Sequence, residues 1–284
     1  MRRLDPPDFD ARATYRICVS TARPLLRARL EKFEDAVAEA GDEYREAAEK
    51  QALHGLSALA GRPGGYLDRK ALAKVYTARM ARENAPGRPV YDAIKRGAED
   101  RCPLCGQGRV ETLDHHLPKG KYPLLGVVPV NLVPACRDCN IGKSQAAPAA
   151  AGDQTLHPYF DDFSHHPWLS SRVRRPRGNE RMSMVFFVSA HPDWDATVVA
   201  RLRTHLRVYN LNERYRLQVS THLAATGNML RARPVRDVAR FLARRAAEWT
   251  DDANPNTLES ALYRGLAADD WYVNGGWRTK APFG

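Results

Sequence analysis

Four of the five cysteines in this chain could bind a single metal ion. They lie in two C-x-x-C pairs: Cys102 with Cys105, and Cys136 with Cys139. A C-x-x-C turn lets two thiolates point at one centre, and two such turns supply the four ligands of a closed tetrahedral zinc site. The spacing therefore predicts structural Zn2+ in a segment that spans residues 102 to 143.

Two other uses of these cysteines are weaker. Disulfides need an oxidising compartment, and the first ten residues, MRRLDPPDFD, contain no apolar stretch that could serve as a signal peptide. A thioredoxin-like redox pair needs one C-x-x-C and would leave the second pair without a role. Zinc remains the interpretation that uses all four thiols.

The polar residues between the two pairs have a spacing that is typical of a nuclease. The sequence LDHHLPKGKYP, followed by NLVPACRDCN and then Lys143, resembles the HNH endonuclease family over about 40 residues. It is also similar to a group of bacterial HNH nucleases associated with anti-phage defence. The resemblance implies a ββα-metal core that holds a catalytic divalent ion, flanked by the zinc-binding cysteine pairs.

That resemblance assigns the catalytic roles. His115, directly after Asp114, would be the general base that deprotonates water. Asp114 and Asn140 would hold the catalytic ion through oxygen atoms, which suits Mg2+ or Mn2+. The family often has His where this chain has Asn140. His116 leaves the identity of the base open, although the Asp-His-x-x-Pro register favours His115. His157 lies further on and is either a packed residue or a group that reaches the site.

Other positions of the motif have supporting roles by the same resemblance. Asn131 would bond to the backbone and hold the loop that presents the base. Lys143, Lys119 and Lys121 would contact phosphate. Each residue taken alone has an ordinary explanation as a solvated or hydrogen-bonding side chain. The joint pattern makes a non-catalytic zinc ribbon, which binds nucleic acid or acts as a scaffold, the minority alternative, and an RNA-directed nuclease is a further one.

Composition agrees with a polyanionic partner without proving one. The chain has 284 residues, a formal charge of +11 and a pI near 9.6. Such a charge favours DNA because each neutralised phosphate releases counterions, although an Arg-rich composition alone could explain it. No run approaches the ~20 apolar residues needed to span a bilayer, so we expect a cytoplasmic protein with no membrane partner. No nucleotide-binding motif occurs, so any ATPase or sensor would be a separate partner protein.

The elements that would position these residues suggest an α+β, mostly helical fold. We expect an N-terminal helical region (1–97), the HNH core (98–160), and a C-terminal β-hairpin with helices (161–284). One predicted helix begins at Pro24, with Thr21 as a possible N-cap, and stops at Gly41, and another begins after Asn140. A strand over 109–113 would end at Asp114. A hairpin with a basic arm over 172–181 would offer a further surface for the DNA backbone.

Overall fold

The computed structural model describes residues 1–143, 147–176, 182–250 and 254–278. The chain forms two compact units, one of residues 2–161 and the other of residues 162–284 together with Met1. The described residues are mostly helical, with two small antiparallel sheets. This confirms the predicted α+β, mostly helical class.

Helices make up the first hundred residues of the first unit. They are α1 (Ala11–Val19), α2 (Pro24–Glu31), α3 (Glu34–Glu49), α4 (Ser57–Ala60), α5 (Tyr66–Arg79) and α6 (Arg88–Arg96). Their apolar faces share one hydrophobic core with the loop that follows the first strand. The cysteine-bearing segment therefore packs against these helices.

The helix predicted from Pro24 to Gly41 begins at the expected residue, but it is interrupted between α2 and α3 and does not stop at Gly41. The chain turns between α2 and α3, which lets Leu30 and Val37, each 1% exposed, enter the same core. Gly41 lies inside α3 because α1 packs closely there. A Cβ at that position would lie 2.8 Å from the Cβ of Ala11. The glycine thus permits a close helix contact and does not end the helix.

A hairpin and a helix form the cysteine-bearing segment. Strands β1 (Thr112–His115) and β2 (Leu132–Ala135) pair antiparallel, with Asp114 opposite Val133. Helix α7 (Arg137–Lys143) follows directly and packs on β1. The helix predicted to begin after Asn140 already begins at Arg137, because Cys139 of the second C-x-x-C lies in its first turn. Asn140 therefore lies in the middle of α7.

The second unit combines the other sheet with five helices among its described residues. Its elements are β3 (Leu169–Arg174), β4 (Ser183–Val188), α8 (Ala196–Val208), α9 (Leu211–Leu230), α10 (Val235–Glu248), α11 (Leu258–Ala267) and α12 (Asp270–Val273). The antiparallel pairing of β3 with β4 confirms the predicted hairpin. Of the predicted basic arm, residues 177–181 lie outside the described residues. None of the described helices has the length and apolar character needed to cross a membrane.

Candidate metal and catalytic site

The four cysteines of the two C-x-x-C pairs form one buried cluster. The ligand atoms of Cys102, Cys105, Cys136 and Cys139 all lie within 4.8 Å of one another. The Sγ atoms of Cys105 and Cys136 are 3.8 Å apart. That separation is far longer than a disulfide bond. It matches the edge of a tetrahedron built from zinc–sulfur bonds of about 2.3 Å. The donor set therefore fits a structural zinc ion.

Glycines around the first C-x-x-C make the close approach possible. Gly106 has a φ of +70°, the left-handed conformation that most side chains avoid. At Gly108, a Cβ would lie 2.8 Å from the Sγ of Cys136. The amide of Gly108 also donates to the Sγ of Cys105 at 3.3 Å. Only glycine at position 108 lets the first turn close over the second pair.

The thiols also influence one another's ionisation. Hydrogen bonds from Cys102, and then from Cys136 and Cys139, lower the pKa of Cys105 below its ordinary value. Four buried thiolates without a cation would repel one another, and a divalent metal removes that cost because it stabilises the deprotonated ligands. The chemistry of the cluster is thus that of a metal site.

Asp114 is buried on the face of β1 that packs on α7. The Nζ atom of Lys143 donates to Asp114 Oδ2 at 3.1 Å and also to the backbone oxygen of His115. The side chains of Lys143 and Asp114 are only 4% and 8% exposed. Burial raises the pKa of Asp114, while the nearby ammonium group of Lys143 opposes that shift. In this structure the charge of Lys143 is paired with a carboxylate, and its expected contact with phosphate stays a prediction.

Asn140 lies in α7, three residues before Lys143, and its side chain is half-buried. Residues three apart lie on neighbouring positions of a helix surface. Its contact with a catalytic ion beside Asp114 stays a prediction. A carboxylate and an amide oxygen form a hard donor set that fits Mg2+ or Mn2+.

His115 points to the opposite face of β1, toward α5. Its ring meets the ring of Tyr76 in a T-shaped contact, with centroids 4.4 Å apart. Its Nε2 atom lies 2.8 Å from the carbonyl oxygen of Gly126. Since a carbonyl oxygen can only accept, Nε2 carries the proton and Nδ1 is the basic nitrogen. Burial lowers the pKa of His115 to about 3, and the bond to Gly126 partly opposes this shift. The imidazole is therefore neutral at physiological pH.

Asn131 ties together the loop that follows β1. Its Oδ1 atom accepts from the amide of Leu117 at 2.7 Å, and its Nδ2 atom donates to the carbonyl oxygens of Leu117 and Leu125. The side chain is completely buried. Because Leu125 directly precedes Gly126, these bonds hold the carbonyl that orients His115.

Lys119 and Lys121 lie in the turn of this loop. Lys119 is partly exposed and Lys121 is exposed. Their Nζ atoms lie 5.5 Å and 5.8 Å from the ring centroids of Tyr76 and Tyr122. Both lysines follow closely on the Asp114–His115 pair, so the structure gives this end of the hairpin a positive edge.

His116 and His157, whose roles the sequence left open, are in contact. Their ring centroids are 4.1 Å apart. Sequence reasoning missed the groups that orient the histidines: Tyr76 and Gly126 for His115, and Tyr44 for His157, whose Nε2 lies 2.9 Å from the Tyr44 hydroxyl. Tyr44 and Tyr76 are ordinary aromatic positions on helical faces, and nothing in their spacing marks them as partners of a histidine.

Comparison with known proteins yields one informative similarity. No protein-family model matches the chain, and no solved structure matches it. The chain is 34% identical over 165 residues to the protein Ea31 of Escherichia phage lambda, which covers 56% of this chain and 54% of that protein. The chain thus spans about half the length of the curated relative it matches. The name of that phage protein describes no activity.

Proposed function

We propose that the chain is a metal-dependent HNH endonuclease that hydrolyses DNA phosphodiester bonds. The observation that supports this most directly is the β1–β2–α7 arrangement, in which Asp114 contacts Lys143 across the strand–helix interface beside a four-cysteine cluster. The resemblance of the segment to the HNH family gives this ββα unit its chemical interpretation. Its setting would be bacterial defence against phage or other foreign DNA, with a separate ATPase or sensor as partner.

In this proposal Asp114 and Asn140 hold the catalytic ion. When Mg2+ or Mn2+ is bound, it neutralises charge that builds on the phosphate and assists the departing oxygen. The two side chains supply oxygen donors from two elements that pack on each other, β1 and α7. The cysteine cluster has a different task, because Zn2+ bound there would hold the hairpin and α7 together and take no part in the chemistry.

His115 is the proposed general base. The Gly126 carbonyl fixes the tautomer in which Nδ1 is unprotonated, so Nδ1 is the nitrogen that would accept a proton from water. His115 and Asp114 come from adjacent residues, whose Cα atoms are about 3.8 Å apart. Their side chains project from opposite faces of β1, so the proposal requires the scissile phosphate to bind at the end of the strand, between the two faces.

The loop after β1 would hold the substrate in this mechanism. Asn131 positions the loop through its backbone hydrogen bonds and so acts on the base indirectly. Lys119 and Lys121, at the positive edge, would contact the phosphates that flank the scissile bond, and the net charge of +11 would attract DNA at long range. Lys143 would reach phosphate only after it leaves Asp114.

Cleavage of supercoiled plasmid by the purified chain in Mg2+, Mn2+ or EDTA tests the proposal. We expect nicked or linear DNA that depends on the metal, and a loss of at least ~100-fold in His115→Ala, the usual scale for a general base. His165→Ala removes an exposed histidine of the second unit and is the matched control. A single-stranded RNA substrate in the same assay tests the RNA-directed alternative. DNA binding without cleavage, in the presence of the partner protein, would instead identify a non-catalytic zinc protein.

A further inference from the structure

Two buried histidines, His116 and His157, pack against each other, and His116 directly follows the Asp114–His115 pair. His116 and His157 are 6% and 2% exposed, and their rings are tilted by 36° with centroids 4.1 Å apart. His157 comes from a segment outside the ββα unit. Two imidazoles packed this closely in the interior have a defined mutual orientation.

His157 is held in one orientation and one tautomer. Its Nδ1 atom accepts a hydrogen bond from the backbone amide of Tyr159 at 3.2 Å. Nδ1 is therefore unprotonated, so Nε2 carries the proton and donates to the hydroxyl oxygen of Tyr44 at 2.9 Å. The backbone amide of His157 donates to Asp161 Oδ2 at 2.7 Å. His157 thus forms a rigid surface against which the ring of His116 rests.

His116 shares a strand face with Asp114. Its backbone amide bonds to the carbonyl oxygen of Asn131 at 2.8 Å, which continues the ladder of β1 by one residue. Residues two apart in an extended strand point to the same face. The pKa of Tyr44 is raised first by burial, then by Tyr159 and by Asp114, so the hydroxyl near His157 is within electrostatic range of that carboxylate. Asp114, His116, His157 and Tyr44 therefore belong to one buried polar group.

We propose that His116 is a nitrogen ligand of the catalytic cation that Asp114 and Asn140 hold, and that His157 and Tyr44 are positioning residues for its ring. The proposal rests on the function proposed above. Buried partners commonly fix the orientation of a metal-binding imidazole. A nitrogen donor changes the expected selectivity, because imidazole favours Mn2+ and the later first-row metals over Mg2+.

The test is whether the electron spin of bound Mn2+ couples to the 14N nucleus of a histidine ligand. One molar equivalent of Mn2+ is added to the full-length, zinc-loaded chain, and pulsed electron paramagnetic resonance detects this coupling. We expect the coupling in the native chain, its loss in His116→Gln with Mn2+ still bound, and its retention in His115→Gln. Asp114→Asn should abolish Mn2+ binding, which assigns the signal to this site.

The positioning role is tested separately from ligation. Tyr44→Phe keeps the ring and removes only the hydroxyl that bonds to His157. We expect it to weaken Mn2+ binding roughly 10-fold, the lower end of the effect of an outer partner, while zinc content and the circular dichroism spectrum stay unchanged. Unaltered Mn2+ affinity in this variant would overturn the role of Tyr44 and His157.

The outcomes separate this inference from the proposed nuclease. Bound Mn2+ that depends on Asp114 but shows no 14N coupling would overturn the nitrogen ligand and leave the oxygen-bound catalytic ion in place. Coupling that survives in His116→Gln and disappears in His115→Gln would also overturn it. Failure of the native chain to bind Mn2+ at all would overturn both this inference and the metal-dependent mechanism on which it rests.

Discussion

The Nε2 atom of His115 lies 2.8 Å from the carbonyl oxygen of Gly126, and this one hydrogen bond determines which nitrogen of the ring is basic. A carbonyl group cannot donate, so Nδ1 is left as the proton acceptor. Asn131 holds the neighbouring carbonyl of Leu125 and so supports the same turn. The tautomer of the proposed base is thus a property of the loop after β1.

Histidine nitrogen resonances should show this tautomer directly. In a chain labelled with 15N histidine, we expect His115 to give the pattern of a neutral ring protonated at Nε2, unchanged between about pH 5.5 and pH 8. The reason is its lowered pKa of about 3, which lies below that whole range. His165, whose side chain is 80% exposed, provides the solvent-exposed histidine signal for comparison. A His115 signal that titrates within the range would contradict the buried, neutral state.

Removal of one zinc ligand should unfold the core. In Cys102→Ser the remaining three thiolates cannot close the tetrahedral site, so we expect zinc loss to a chelator and a drop of at least about 4 kcal/mol in the free energy of unfolding. Zinc content and thermal unfolding measure the two effects. Cys18 is buried in the helical core, apart from the cluster, so Cys18→Ala should keep its zinc. Equal zinc retention in both variants would argue against a four-cysteine site.

The pairing of Lys143 with Asp114 predicts that loss of the lysine lowers the free energy of unfolding and that neutralising Asp114 restores part of it. Lys143→Met leaves a buried carboxylate without its cation, which typically costs about 3–5 kcal/mol. The double variant Asp114→Asn with Lys143→Met removes both charges and should be more stable than Lys143→Met alone. Chemical unfolding of Lys143→Met, Asp114→Asn and the double variant, each compared with the native chain, measures the coupling.

A divalent cation should partly replace the missing ammonium group. We expect Mn2+ to raise the melting temperature of Lys143→Met by more than that of the native chain, because the carboxylate then has no internal competitor for the ion. Asp114→Asn should show no such increase. If Mn2+ stabilised all three chains equally, Asp114 would not be the site at which it binds.

Asn131 should be far more sensitive to substitution than Asn140. Asn131→Ala leaves the buried amide and carbonyl groups of Leu117 without the partners that Asn131 supplies and removes one of two hydrogen bonds to the Leu125 carbonyl, and each buried group left without a partner costs about 1–3 kcal/mol. Asn140→Ala is the matched control, since its half-buried side chain makes no hydrogen bond within the described residues, and it should change stability by less than about 0.5 kcal/mol without divalent ions. Denaturant unfolding compares the two. Similar losses would show that the loop does not depend on Asn131.

The four-cysteine cluster could be predicted because its determinants are local. A C-x-x-C turn brings two thiols together by its own geometry, and two such turns supply four ligands. The first strand was predicted over 109–113 but runs from Thr112 to His115. The alternation along β1 likewise follows from the strand and places Asp114 and His115 on opposite faces. The mostly helical class followed from the spacing of apolar residues in the same way.

Contacts between distant parts of the chain determined the partners of the site residues and the bounds of the helices, which the sequence alone did not predict. The hydroxyl of Tyr44 meets a histidine 113 positions later in the sequence, and Tyr76 meets His115 from another helix. Gly41, which resembles a helix stop, lies inside α3 because α1 packs against it. Lys143, which looks like a phosphate ligand, is bonded to Asp114 because α7 packs on β1. The residue types and their spacing determined which groups could do chemistry, and tertiary packing alone decided which nitrogen, carboxylate and ammonium group face one another.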